Sequence, residues 1–383
     1  MTSTCDVEQS TSEAPRERQN RLGIDIHRTA LALVLSTTPK KIHCKYIASQ
    51  PTMDAFTKKT LKTSRGITYT YYTSPGSPSL PTLFFQHGYP DHAAMWANVA
   101  GPLRSLNHPI IIPDMLGYDG TDKPTDPSAY VWTKMTGDMM EILDAEKASK
   151  CISIGHDWGS TAASRLYNYH PERVVGLANL NVPYSPPSRK PFDLDSVNAT
   201  MEKVFGYRAF SYWYLFTAPD GAELLSRDLE TTFNMMHDKD GLLEFFCTPN
   251  AMRDVLSGKT KPTFNLRPYA QDETFKKDFI ERMKRDGFEA PVCWYKAMTG
   301  NLQHEVDAKL PEGRDVVNVP ALYIGCKQDV VCRPETMYES IQKGLLPQLE
   351  QTEMIDAAHW ATYEKPAEVV SRMEEWLKRK FAQ

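Results

Sequence analysis

The chain has 383 residues, of which 41% are hydrophobic and 24% charged, as is typical of a soluble globular protein with one large or two ordinary domains. A formal net charge of −4 provides no basic field, so neither nucleic acid nor an anionic membrane is expected as a partner. No apolar run approaches the length of a membrane span. The 7 cysteines are scattered, which favours reduced, buried thiols in a cytoplasmic protein over a disulfide framework or a zinc site.

The N-terminal part of the chain differs in composition from the rest. Residues 1–20 are rich in Ser, Thr, Glu and Arg, which is typical of disorder. The apolar run at 30–35 lies too far from the start for a signal peptide, and the acidic residues argue against a mitochondrial presequence. We interpret residues 1–52 as a dispensable extension, for which Met53 is a candidate alternative start.

Strand and helix patterns alternate from residue 66 onwards. An alternating pattern predicts a strand over 66–72, and buried apolar runs predict strands over 82–86, 109–112, 151–154 and 173–180. A helix is expected over 93–106, with an interruption at Gly101-Pro102, and another carries Met135 and Met139 on one face. This alternation predicts an α/β fold with a mostly parallel sheet covered by helices on both faces.

The alternation stops near Pro183 and resumes near the C-terminus. Residues 184–300 read as helical or irregular and are rich in aromatic side chains, whereas apolar runs predict strands over 319–325 and 351–355 before a last helix. The predicted organisation is a core formed by residues 53–183 and 301–383, with a helical lid over residues 184–300. Because ligands bind at the carboxyl ends of parallel strands, the lid is expected there.

One short motif predicts the chemistry. Gly155-His156-Asp157-Trp158-Gly159 follows a buried strand and precedes a helical stretch, which is the arrangement of a nucleophile elbow. Asp157 stands where the better-known motif has serine. A carboxylate attacks saturated carbon that bears a leaving group, and the resulting ester must then be hydrolysed. The motif therefore predicts hydrolysis at an epoxide or an alkyl halide. The alternative is an ordinary turn with Asp157 as a helix N-cap.

Two further residues complete a candidate catalytic triad. Asp329 follows the predicted strand 319–325, and His359 follows the predicted strand 351–355. Alone, each could be a turn, capping or surface residue. Together with Asp157 they stand in the order nucleophile, acid, histidine. This order predicts that His359 activates a water molecule and that Asp329 orients the His359 ring. The remaining histidines that adjoin these motifs are interpreted as structural: His87, His92, His156 and His304.

Backbone N–H groups are expected to bind the oxyanion that forms during ester hydrolysis. One is the N–H of Trp158, directly after the nucleophile, and the other belongs to Tyr89, in the loop after strand 82–86. Pro90 has no N–H to offer. A cis Tyr89–Pro90 bond is one way to hold this loop.

The segments His87-Gly88-Tyr89-Pro90 and 155–159, with Asp329 and His359, together resemble the α/β-hydrolase-fold epoxide hydrolases, from Met53 to the end of the chain. The resemblance implies the α/β-hydrolase fold with a helical cap, and conversion of an apolar epoxide to a vicinal diol through an aspartyl ester. It implies no cofactor and no metal, with only the epoxide and water as partners of a monomer or homodimer. The long loop and the residue before His359 depart slightly from the family pattern.

The same resemblance implies two tyrosines that hydrogen-bond the epoxide oxygen. Tyr295 lies in a segment similar to the family's, and Tyr212 lies in an aromatic segment, Phe210-Ser211-Tyr212-Trp213, before a proline-containing loop. A phenol with a pKa near 10 can protonate an alkoxide while remaining neutral at pH 7. Packing within the lid is the alternative role. We expect Pro90, Trp213 and Phe210 to contact the substrate.

Three other functions compete with epoxide hydrolysis. A haloalkane or haloacid dehalogenase shares the carboxylate nucleophile and would use Trp158 as a halide donor, but Tyr89 occupies a position where a second donor is common. A non-catalytic ligand-binding protein on the same fold would not need the complete triad. A serine-type esterase is disfavoured by Asp157.

Overall fold

Eight strands form one sheet, in the order β1-β2-β4-β3-β5-β6-β7-β8. This computed structural model describes residues 52–351 and 354–381, so the expectations for residues 1–51 lie outside the described part. The described residues belong to one compact unit. The strands are β1 (Thr57–Lys62), β2 (Thr68–Ser74), β3 (Thr82–Gln86), β4 (Ile110–Pro113), β5 (Cys151–His156), β6 (Val174–Leu180), β7 (Ala321–Ile324) and β8 (Leu349–Gln351).

Helices cover the sheet and fill the long connection between β6 and β7. The α-helices are α1 (Ala97–Leu103), α2 (Trp132–Ala145), α3 (Trp158–Tyr169), α4 (Leu194–Phe205), α5 (Tyr212–Thr217), α6 (Gly221–Arg227), α7 (Leu229–His237), α8 (Ala251–Leu256), α9 (Glu273–Asp286), α10 (Cys293–Thr299), α11 (Leu302–Asp307), α12 (Met337–Gln342), α13 (Ala361–Glu364) and α14 (Pro366–Phe381). Short 3-10 helices span Ala93–Trp96, Arg104–Leu106, Pro127–Tyr130, Pro268–Gln271 and Pro334–Thr336, and Leu242–Phe246 is a π-helix.

The predicted mostly parallel sheet is confirmed. Only the pairs β1–β2 and β2–β4 are antiparallel, and every later pair is parallel. Strand β1 was not predicted. Its side chains are rich in lysine and nearly all exposed, so its sequence shows no alternation of apolar and polar residues. The strand expected over 351–355 begins earlier than predicted, since β8 is Leu349–Gln351. Residues 352 and 353 lie outside the described part, and Ile355 forms an isolated bridge to Cys326.

The helix expected over 93–106 is also different in detail. Its central α-helical part runs through Gly101 and Pro102 instead of breaking there. Proline removes one backbone donor, and here it stands at the end of a short helix, where the chain tightens into the 3-10 turn Arg104–Leu106. The missing backbone hydrogen bond therefore does not interrupt the helix.

The core lies on both faces of the sheet. Strand β3 shows the alternation: Leu83 and Phe85 pack on the face covered by α1 and α14, and Phe84 packs on the opposite face. All five residues of β3 are buried, as expected for a central strand between parallel neighbours. In the described part of the chain, no helix combines the length and apolarity needed to cross a bilayer. Because β3, β5, β6 and β7 are parallel and adjacent in this order, their carboxyl ends lie along one edge of the sheet.

Candidate active site

Asp157 occupies a sharp turn between β5 and α3. Its backbone has φ 54° and ψ −128°, a left-handed conformation that is costly for a residue with a side chain. The neighbouring glycines permit the turn. A Cβ at Gly155 would lie 2.0 Å from the carbonyl oxygen of Gly159, and a Cβ at Gly159 would lie 2.0 Å from that of Gln86. The strained turn presents the Asp157 carboxylate beyond the end of the sheet.

The loop after β3 contacts this carboxylate directly. The Tyr89 N–H donates a hydrogen bond of 2.7 Å to Asp157 Oδ1, and the Tyr89–Pro90 peptide bond is cis. Trp158 is the first residue of α3 and directly follows Asp157, so its N–H is one of the unpaired donors at the N-terminus of this helix. A helix N-terminus and a loop N–H can together stabilise negative charge on Oδ1.

His87 holds the shape of this loop and takes no part in proton transfer. The Met115 N–H donates to His87 Nε2 at 2.8 Å, so Nδ1 carries the proton and donates to the Gly88 carbonyl at 2.9 Å. Burial lowers the pKa of His87 to about 3. The imidazole is therefore neutral at physiological pH and fixed in one tautomer.

His359 lies between two carboxylates. Its Nε2 is 3.5 Å from Asp157 Oδ2, and its Nδ1 donates to Asp329 Oδ2 at 2.8 Å. Asp329 is fully buried and also accepts hydrogen bonds from the backbone N–H groups of Val331 and Cys332. The structure thus brings the three sequence-predicted triad residues together in the expected order of contacts.

Charge is unevenly distributed across this array. Burial raises the pKa of Asp329, but the neighbouring His359 and the amide of Asn181 outweigh it, and the net pKa is lowered. Burial lowers the pKa of His359, whereas Asp329, Cys332 and Asp157 raise it, and the net pKa lies well above its ordinary value. The imidazolium form is stabilised as long as Asp157 is a carboxylate.

Two phenols face the nucleophile across a small cavity. Tyr212 and Tyr295 are buried, with ring centroids 5.8 Å apart. Burial is the main cause that raises the pKa of both phenols well above 10, and the nearby Asp157 raises it further. The cavity measures about 20 Å³, roughly the space of one water molecule. It is lined by Tyr89, Asp157, Tyr212, Met236, Leu242, Phe246, Tyr295, Val331, His359 and Trp360.

Phe210, Trp213 and Pro90 are absent from the described lining of this cavity, although substrate contact was expected of them. Trp213 follows Tyr212 in α5, so its ring turns away and stacks on Phe210 at a centroid distance of 5.0 Å. Its other neighbours include Trp158 and Tyr295, at 5.6 and 5.1 Å. Phe210 and Trp213 therefore support the wall that carries the phenols, and do not form it.

Sequence reasoning missed the side chains that support the triad. Asn181 Nδ2 donates to Asp329 Oδ2 at 2.7 Å, and Cys332 places its thiol beside Asp157 and His359. Asn181 follows β6 directly, so its position at a strand end was an available signal. Asp91 accepts hydrogen bonds from side chains that follow His359, a contact across 269 residues that no local pattern reveals.

A family model described as the alpha/beta hydrolase fold matches residues 81–366, most of the chain. The chain belongs to the α/β-hydrolase fold family. Solved structures agree with this fold. Epoxide hydrolase A from Mycobacterium thermoresistibile covers 85% of the chain with a TM-score of 0.67 and 23% identity, and the match spans 99% of that protein. An epoxide hydrolase from Vigna radiata covers 86%, with a TM-score of 0.71 and 22% identity, and the match spans all of it.

Curated relatives of this α/β-hydrolase carry epoxide hydrolase names. The chain is 26% identical to bifunctional epoxide hydrolase 2 of Sus scrofa over 96% of its own length but 61% of that protein. The Rattus norvegicus counterpart is 28% identical, with 78% of the chain and 52% of the relative covered. The chain thus spans only half to three fifths of these mammalian proteins. Epoxide hydrolase srdG of Neurospora crassa is 28% identical over 82% of the chain and 93% of the relative.

The geometry of this α/β-hydrolase limits the chemistry open to it. Asp157 Oδ1 is held by a backbone donor, whereas Oδ2 points toward His359 and the cavity. The two phenols, Tyr212 and Tyr295, line the same cavity as this carboxylate. The arrangement can displace a leaving group from carbon, protonate that group, and then bring an activated water to the ester.

Proposed function

We propose that this protein is an epoxide hydrolase that converts an apolar epoxide to a vicinal diol. The observation that carries the proposal is that one cavity is shared by the Asp157 carboxylate, His359 and the hydroxyl-bearing rings of Tyr212 and Tyr295. A nucleophile and two neutral proton donors that line one cavity suit a strained ring that needs attack at carbon and protonation at oxygen. The epoxide hydrolase names of the relatives support the same reaction.

In the first step, Asp157 Oδ2 attacks a ring carbon and the carbon–oxygen bond of the epoxide breaks. The electron pair moves to the ring oxygen, which takes a proton from Tyr212 or Tyr295. The raised pKa of both phenols keeps their protons in place until a strong base such as an alkoxide forms. Asp157 Oδ1 remains on the Tyr89 N–H and becomes the ester carbonyl oxygen.

Ester formation also changes His359. The hydrogen bond between His359 and the Asp157 carboxylate is one cause of the raised pKa of His359, and ester formation weakens it. The His359 imidazolium then releases a proton, which restores the hydroxyl of the tyrosine that protonated the ring oxygen. His359 is thereby a base only after the first step, while Asp329 holds its Nδ1 proton.

In the second step, neutral His359 takes a proton from water as the water oxygen attacks the Asp157 carbonyl carbon. The negative charge that develops on Oδ1 is stabilised by the Tyr89 N–H and by the N-terminus of α3, where the Trp158 N–H lies. The ester bond then breaks on the carbonyl side, and the departing alkoxide takes the proton that remains on the added water oxygen. The diol keeps Oδ2, the carboxylate regains an oxygen from water, and His359 is left as the imidazolium.

Residues 184–300 are proposed to act as the cap over this site, on a core of residues 53–183 and 301–383. Both phenols, together with Met236, Leu242 and Phe246, come from this helical connection. The apolar wall favours an apolar epoxide. A cytoplasmic location is proposed because the described cysteines are all free thiols.

A racemic aryl epoxide, incubated with the full chain and with Asp157→Ala, tests this proposal. The expected result is diol from the wild-type protein and at least a thousandfold less from the variant, since the whole covalent route is removed. A haloalkane in parallel provides the comparison. Halide release without diol would identify a dehalogenase, and tight epoxide binding without turnover would identify a binding protein.

A further inference from the structure

Cys332 places a thiol at the centre of the site, yet no step of the proposed reaction uses it. Its Sγ, a carboxylate oxygen of Asp157 and a ring nitrogen of His359 all lie within 4.8 Å of one another. Cys332 is half-buried, and the other two side chains are buried. Thiolate, imidazole and carboxylate are the three ligand types that proteins offer to zinc.

We propose that Asp157, Cys332 and His359 form a binding site for a zinc-group divalent cation, which blocks the enzyme while it is bound. Tetrahedral coordination with bonds of 2.0–2.3 Å places neighbouring ligand atoms about 3.5 Å apart. His359 Nε2 and Asp157 Oδ2 are 3.5 Å apart already. The Sγ of half-buried Cys332 lies within 4.8 Å of a ligand atom of each of these residues and supplies the third position.

The surroundings orient two of the ligands in advance. His359 donates its Nδ1 proton to Asp329, the carboxylate–histidine arrangement that fixes the tautomer of metal-binding histidines, so Nε2 is the nitrogen that faces the cation. Asp157 Oδ1 is engaged by Tyr89, which leaves Oδ2 for the cation. Asp157 and His359 both line the cavity of about 20 Å³, where one water fits as a fourth ligand.

Inhibition follows from the identity of the ligands. The cation would use the lone pairs of Asp157 Oδ2 and His359 Nε2, which are those of the proposed nucleophile and base. Binding converts the Cys332 thiol to a thiolate and the His359 imidazolium to a neutral imidazole with a free Nε2 lone pair, and both protons are released to solvent. Cation binding does not depend on the enzymatic activity, whereas its inhibitory effect rests on the proposed function.

Cadmium chloride is the probe, because a cadmium–thiolate bond has an ultraviolet charge-transfer absorption. The chelator-treated full chain is titrated alongside Cys332→Ser and the control Cys293→Ser. Cys293 donates its thiol proton to the carbonyls of Thr125 and Glu289, which a serine hydroxyl can also do. We expect saturation at one cadmium per chain in the wild type and control. Affinity should fall at least about a hundredfold in Cys332→Ser, which exceeds the usual cost of losing a residue that only hydrogen-bonds to a metal ligand.

Diol formation is measured in the same samples, and its loss is expected to follow the absorption with the same midpoint. Absence of the band in the wild type, or its persistence in Cys332→Ser, would overturn the proposed site. A normal band in a protein that makes no diol from any tested epoxide would refute the proposed function and leave the metal site standing. Denaturant unfolding checks that Cys332→Ser is folded, and Cys332→Ala replaces it if it is not.

Discussion

At the residue scale, the chemistry depends on where single protons and lone pairs point. Asp157 Oδ1 accepts from a backbone donor while Oδ2 faces His359, so the two oxygens of one carboxylate are already different before substrate arrives. His359 lies between two carboxylates that raise its pKa, and in the proposed mechanism it acts as the base once Asp157 is esterified.

The two phenols provide the first prediction. Tyr295→Phe is expected to lower the rate of ester formation roughly tenfold to a hundredfold, because one of two proton donors is lost and the other remains. Tyr212→Phe should act similarly, and the double variant should lose far more. Rapid-quench measurement of the covalent ester, separate from diol release, isolates this step.

Tyr214→Phe is the matched control for the phenol variants. Tyr214 belongs to the same helix as Tyr212, but its side chain is exposed and its hydroxyl donates to Asp195. Its loss should leave ester formation within twofold of the wild type. Equal rates for Tyr295→Phe and Tyr214→Phe would remove the phenols from the mechanism.

At the scale of elements, side chains join segments that are far apart in the chain. Asp91, next to the loop that carries Tyr89, accepts hydrogen bonds of 2.9 Å from Trp360 Nε1 and from the Tyr363 hydroxyl. These donors follow His359 directly and continue into α13. The buried Asp91 carboxylate therefore links the loop that carries Tyr89, here called the oxyanion loop, to the segment that carries His359.

Asp91→Ala should leave both donors buried without a partner and destabilise the fold by about 1–3 kcal/mol. It should also lower kcat more than it changes KM, because the hydrogen bonds that fix the position of the Tyr89 loop relative to His359 would be lost. Urea unfolding and steady-state kinetics measure these two effects. Tyr363→Phe removes a single donor and should give a smaller version of both, so an equal or larger loss in Tyr363→Phe would contradict the assignment.

Helix α9 is joined to the core through an ionic network. His92 Nδ1 lies 3.7 Å from Asp119, and its Nε2 lies 3.5 Å from Asp278 of α9. Burial and Arg282 lower the pKa of His92, but the two carboxylates outweigh them and raise it to about 9. Arg282 also donates to the Pro90 carbonyl at 2.9 Å, which links α9 to the oxyanion loop.

This network predicts a pH dependence of stability. The folded-state pKa of His92 is raised above its usual 6.5, so its contribution is complete below about pH 6.5 and is lost as the pH rises through about 9. The difference in free energy of unfolding between the wild type and His92→Asn should therefore shrink from pH 6 to pH 10. Urea unfolding across this range measures it, and a difference that stays constant would show that His92 is not charged in the native protein.

At the scale of the whole molecule, the cavity is too small for an organic substrate. Its volume of about 20 Å³ compares with roughly 300 Å³ or more for typical ligand sites. Leu242 and Phe246, in the π-helix of the cap segment, form part of its wall. Admission of an epoxide therefore requires these side chains, and the segment that carries them, to move.

Leu242→Ala should enlarge the cavity and raise kcat/KM for a bulky epoxide relative to a small one by roughly tenfold, the discrimination that a few apolar carbons provide. Leu243→Ala is the control, because Leu243 is adjacent but exposed. Competition between two epoxides in one reaction gives the ratio directly. An unchanged ratio would show that the substrate does not occupy the space beside Leu242.

Local patterns were enough to predict most strands and to single out Asp157, Asp329 and His359, because each lies in a short segment with its own signature. The sharp turn at Asp157 has no room for a Cβ at Gly155 or Gly159, and His359 contacts Asp329 as the order of the motifs predicts. What could not be predicted depends on pairs distant in sequence, such as Asp91 with Trp360 or Asn181 with Asp329. The direction of the Trp213 ring likewise depends on packing between helices, which cannot be predicted from the sequence of one segment alone.

Oxygen tracing in a single turnover is the most direct test of the covalent intermediate. The wild-type enzyme, in excess over an epoxide, is reacted in water enriched in heavy oxygen, and the diol and the peptide containing Asp157 are analysed by mass spectrometry. Nucleophilic attack by Asp157 predicts an unlabelled second oxygen in the diol and one heavy oxygen in the Asp157 carboxylate. Heavy oxygen in the first-turnover diol, with an unlabelled Asp157 peptide, would contradict a covalent ester.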